Sequence, residues 1–104
     1  MTALETSLTG TFEFVVHKGG DLKAPYPHAE TPTSYISMGF DDDLSAATVK
    51  AVRNMVAFLV EVKHMTRDDA YMLCSVAGDL AISEIVDRNK AVHMSLPKVV
   101  FAGK

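Results

Sequence analysis

The chain is poor in several features that mark specialised classes of protein. It has a single cysteine, Cys74, in 104 residues. No disulfide can close within it, and such sparing use of thiols fits a reducing, cytoplasmic setting. It has no excess of positive charge: ten Lys and Arg stand against thirteen Asp and Glu, a net charge of −3, with the two signs interspersed. That balance excludes the basic footprint of a nucleic-acid surface and a polybasic membrane patch. Long hydrophobic runs are also missing, since the Met55–Val60 stretch meets Glu61 and Lys63, far short of the ~20 apolar residues a bilayer span needs. The first residues, Met1–Thr6, carry neither the basic start nor the apolar middle of a secretion leader. No repeat, low-complexity run or interior domain boundary interrupts the chain, so residues 1–104 are expected to form one domain.

What is present is a globular composition, 48% hydrophobic and 22% charged, in a length that buries roughly two thirds of its unfolded surface. One core fits; a large pocket walled on all sides does not, so any active site is expected to be open or shared. Thr11–His17 alternates, with Phe12, Phe14 and Val16 on one side, and predicts a strand ended by Gly19 and Gly20. Leu22–Thr33 holds Pro25, Pro27 and Pro32 around Tyr26, His28 and Glu30 and predicts an ordered loop. Thr33–Phe40 is β-branched and aromatic in its first half, a second strand whose faces are not cleanly polar and apolar.

Asp41, Asp42 and Asp43 precede a long periodic stretch, where carboxylates can cap free amides and meet the positive end of a helix dipole. The spacing predicts a helix from Leu44 to about Lys63. Its extra valines, Val49, Val52, Val56 and Val60, spread apolar surface around most of its girth and point to packing against something outside the chain. Thr66 and Asp69 have capping-box spacing, predicting a second helix to about Ala77 with Gly78 as a left-handed stop. Leu80–Asp87 and Ala91–Leu96 read as strands joined by a polar turn at Arg88, Asn89 and Lys90. The order strand, strand, helix, helix, strand, strand implies an α+β fold, two helices packed on a small, mostly antiparallel sheet.

Motifs that carry chemistry are scarce. His17, His28, His64 and His93 include no pair at a metal-chelating spacing. His28, beside Tyr26 and Glu30, is the least ordinary of the four. Cys74 falls on the apolar stripe of the second helix and reads as a small core residue. The Asp41–Asp43 run lacks the alternating ligands of a calcium loop, and the position for its closing glutamate holds Val52. Gly19-Gly20 and Gly78-Asp79 lack phosphate-loop spacing, and Ser34, Ser37, Ser75 and Ser83 have no Gly-x-Ser-x-Gly context.

Longer words say more. Ala3-Leu4-Glu5-Thr6, then Thr31–Phe40, Asp43-Leu44, Ala70–Asp87 and Leu96-Pro97-Lys98 follow one another in an order that resembles the C-terminal third of the acetamidase/formamidase family. The run from Ala70 to Asp87 is the most specific of them. The resemblance implies a C-terminal-type domain, a fragment or subunit of an enzyme that hydrolyses formamide, acetamide and similar small amides to carboxylate and ammonia. It implies a divalent metal, zinc first among the candidates, held mainly outside this chain in a β-rich region that precedes it in the family. That region, or a partner chain supplying it, is the implied partner, together with further copies of the chain. Glu5 is then the one acidic residue expected near the centre, as metal ligand, water-orienting group or general base. Ser34, Ser75 and Asp79 match family words without an assigned role. The chain alone is expected to be inactive; the alternative is a non-catalytic assembly or small-ligand-binding module derived from that family.

Overall fold

The acidic triplet does its work locally. In the structure, a computed structural model that describes residues 5–16, 18 and 27–102, the Asp41 side chain accepts from the Asp43 amide (3.0 Å) and the Asp43 side chain accepts from the Ala46 amide (2.8 Å). These bonds turn the chain out of a strand and satisfy an amide that a helix start leaves without an intrahelical partner. Helix α1 then runs Leu44–Lys63, the predicted span. It ends where His64 takes a left-handed conformation (φ 55°) and the Met65 amide reaches back to the Leu59 carbonyl. Helix α2, Arg67–Ala77, starts at Thr66, whose hydroxyl oxygen accepts from the Asp69 amide.

Four strands, β1 (His28–Glu30), β2 (Ser34–Asp41), β3 (Asp79–Glu84) and β4 (Lys90–Pro97), form one antiparallel sheet in the order β1-β2-β4-β3. A 3₁₀ turn, Lys98–Phe101, follows. Both helices lie on one face, so the fold is the expected α+β layer. Its core is Ala47, Ala51, Met55, Val56 and Leu59 of α1, Ala70 and Cys74 of α2, and Val92, Met94 and Leu96 of β4.

The mixed faces of β2 have a physical cause. Alternation puts Tyr35, Ser37 and Gly39 toward α1 and Ile36, Met38 and Phe40 on the opposite face. Ser37 and Gly39 are small because α1 comes very close there: a methyl group on Gly39 would sit 2.2 Å from the Ala47 carbonyl oxygen and 2.4 Å from the Ala51 nitrogen. Polar bonds pin the contact, with the Ser37 hydroxyl donating to the Ala51 carbonyl and the Asn54 amide to the Met38 carbonyl, each at 2.8 Å.

Four expectations are corrected. Residues 11–16 of the predicted first strand have no regular structure and are exposed, because no neighbouring strand among the described residues supplies their backbone bonds; His17 lies outside the described residues. The first strand is instead β1, in the proline segment, where β2 provides a ladder; residues 19–26 of that region lie outside the described residues. Gly78 is extended (φ −85°) rather than left-handed, because the chain passes directly into β3. A side chain there would strike the Met94 methyl and the Cys74 carbonyl. Finally, β3 stops at Glu84 with an irregularity between Ile82 and Glu84, and Lys90 belongs to β4, so the predicted turn is an irregular loop over residues 85–89.

Candidate functional site

Three places gather polar or reactive groups. The first closes one end of the helix-facing side of the sheet. His28 of β1 packs at 6.3 Å from Phe58 of α1, and Tyr35 of β2 at 4.9 Å from the same ring. Lys63 donates to the Tyr35 hydroxyl (2.7 Å), while Lys98 pairs with Glu30 and lies 5.0 Å from the Tyr35 ring centre. A cavity of about 170 Å³ remains between His28, Glu30, Tyr35, Ile36, Met55 and Phe58. With a phenol and an imidazole in its lining, this aromatic cleft has room for a molecule of a few atoms.

The second place lies on the opposite, open face of the sheet. Ser83 of β3 and His93 of β4 meet there, Ser83 Oγ to His93 Nδ1 at 2.7 Å. The residues are ten apart in sequence and come together only through the β3–β4 register, which places Ala81 opposite His93. That is why no sequence motif signalled them. An imidazole can take a proton from a hydroxyl at this distance. On an exposed strand edge, high dielectric weakens that activation.

The third is a groove between the helices. Val49, Val52, Val56 and Val60 of α1 face Tyr71 of α2 across an open volume of about 770 Å³, with Arg53 among the charged residues at its edge. Of the valines that spread apolar surface around α1 in the sequence, Val56 also reaches the core and Val52 packs against it, while Val49 and Val60 line the hollow and stay exposed.

Most residues singled out from the sequence have local duties. Asp41 pairs with Lys50; its carboxyl is held below the usual range, first by the Asp43 amide and then by Lys50. Asp42 pairs with Arg88 and its carbonyl accepts from Lys90. The acidic triplet is thus used in capping, as expected, and also in ion pairs that the sequence reading did not anticipate. Cys74 is buried, and removal from water pushes its thiol pKa up, which makes it a poor nucleophile. Ser75 donates to the Tyr71 carbonyl one turn back, and the Ser34 amide donates to Thr31 Oγ1 in the turn before β2. Asp79 is exposed at the start of β3, opposite Ser95. Glu5 is exposed in the segment that precedes the sheet. Among the described residues, no group of three or more His, Cys, Asp or Glu is placed to hold a metal ion.

What fold and sites define together is a two-layer α+β segment with open clefts. No family model matches the chain, and no curated protein does. Solved structures do. An acetamidase from Bacillus halodurans superposes with a TM-score of 0.68 and 36% identity, over 74% of this chain and 26% of that one. An acetamidase from Yersinia enterocolitica gives 0.69 and 31%, over 72% of this chain and 23% of that one. The chain is acetamidase-like in both fold and sequence, and it spans about a quarter of the length of the acetamidases it matches.

Proposed function

We propose that residues 1–104 are a C-terminal-type domain of an amidohydrolase that converts short-chain amides, formamide and acetamide, to carboxylate and ammonia. The observation that carries this reading is 36% identity to an acetamidase in the same fold, sustained over 74% of the chain. Hydrolysis needs a water nucleophile, polarisation of the amide carbonyl and a proton for the leaving ammonia. A divalent metal such as zinc supplies the first two when bound. The ion is read as held mainly by polypeptide outside this chain. The contribution expected from this chain is Glu5, exposed and ahead of the sheet, taking a proton from water or orienting it, while the α+β layer supports the centre. The complete enzyme is read as cytoplasmic and oligomeric.

The test is ammonia release from formamide and acetamide. The chain alone is expected to release none above background, and activity is expected when the remaining acetamidase-length polypeptide is added. In that reconstituted enzyme Glu5→Gln should lower kcat by at least about a hundredfold with KM little changed. Full activity of Glu5→Gln would remove Glu5 from the mechanism, and turnover by the chain alone would overturn the divided site. The alternative, a non-catalytic assembly or small-ligand-binding module, is favoured by the apolar groove between α1 and α2; it predicts no turnover even after reconstitution.

A further inference from the structure

The most regular alternation in the sequence is also the stretch that the fold leaves uncovered. Phe12, Phe14 and Val16 are 76%, 90% and 82% exposed, although their spacing is that of a strand with one buried side. Segments of this kind rest in water only at a cost, since each aromatic ring leaves a large apolar surface unburied. At the far end of the sheet lies the matching deficiency. Strand β3 is an edge, with no strand beyond it among the described residues, and on its helix-side face Leu80 and Ile82 are 48% and 53% exposed. An edge of this kind presents backbone donors and acceptors to any extended chain.

We propose that Thr11–Val16 of one copy of this chain adds as a fifth strand to the β3 edge of a second copy, and that the exchange is reciprocal. The occupant is a second copy because the segment is carried by this chain and lies off its own sheet. The lengths agree, since β3 has six residues and so has the run from Thr11 to Val16. Both segments carry only acidic charge, and one register keeps the like charges apart. With Glu13 set opposite Ala81, in either strand direction, Phe12 and Phe14 fall opposite Leu80 and Ile82 on the helix-side face. Glu13 then avoids direct opposition to Asp79 and Glu84. Cross-strand aromatic–aliphatic pairs of this type stabilise a ladder. Two phenylalanines from each copy, at about 150–250 Å² apiece, with the valines and the β3 side chains they cover, approach the ~1,200 Å² of a stable interface. The exchange is independent of the amidase reading.

Sedimentation equilibrium of the whole chain tests it. A monomer–dimer equilibrium is expected, and Phe14→Asp should raise the dimer dissociation constant by at least about tenfold, with far-UV circular dichroism unchanged because Phe14 lies outside the core. A chain that is monomeric at all concentrations, or a dimer indifferent to Phe14→Asp, would overturn the proposal. Register is checked by mixing Glu13→Cys and Ala81→Cys chains under mild oxidation. Buried Cys74 does not compete, so a disulfide-linked dimer should form in the mixture and not in either variant alone. A double variant that closes only within one chain would place the segment on its own sheet and refute exchange.

Discussion

Gly39 shows how much one residue decides. Its lack of a side chain lets α1 lie against β2 at backbone distance, and the neighbours that a methyl would strike are main-chain atoms that cannot swing aside. Gly39→Ala should therefore destabilise the fold by about 2–3 kcal/mol, read as a lower urea midpoint at unchanged slope. Asp41 sets a pH limit. Its carboxyl pKa is lowered in the folded state, so the folded protein binds fewer protons there than the unfolded chain. The stabilisation is fully present above the ordinary carboxylate pKa and is lost as pH falls through that value toward the lower folded one. The melting temperature should drop as pH falls from about 4 toward 2, and Asp41→Asn should flatten that part of the profile.

Elements differ in how far they depend on their neighbours. The two helices carry their own end signals, and the structure uses them: Asp43 and Thr66 accept from the third residue on. Asp43→Ala should cost about 1 kcal/mol in chemical denaturation, and Asp43→Asn should recover most of it, since the amide oxygen still accepts. The strands behave otherwise. The run through Phe12, Phe14 and Val16 has the clearest alternation and forms no strand, whereas His28–Glu30, set among prolines, does. The difference is the presence of a partner, because β2 offers β1 a ladder. The Ser83–His93 contact has the same origin, a register between two strands that neither strand announces.

For the molecule as a whole, the core is assembled from residues between Ala47 and Leu96, with Tyr35 and Phe101 packed against it. Among the described residues, none before β1 contributes to that cluster. Removing residues 1–16 should leave far-UV circular dichroism and cooperative unfolding intact, with the monomer melting temperature changed by no more than about 2 °C. It should abolish self-association in the same experiment. Loss of the cooperative transition would mean that the segment belongs to the folding unit. The broad apolar girth of α1 has its counterpart at this scale, as a groove left open between the two helices.

Some of this protein was legible residue by residue. The helix bounds, the capping role of Asp43, the core position of Cys74, the α+β class and the acetamidase likeness all follow from local spacing or local words, because a helix closes its hydrogen bonds within a few residues of where they start. The site is another matter. The cleft around His28, Tyr35 and Lys63 joins β1, β2 and α1, and the Ser83–His93 pair spans two strands. Which alternating segment found a ladder, and which side chains met across the sheet, was decided only by tertiary structure, since strand bonds and cavity walls require residues distant in the chain.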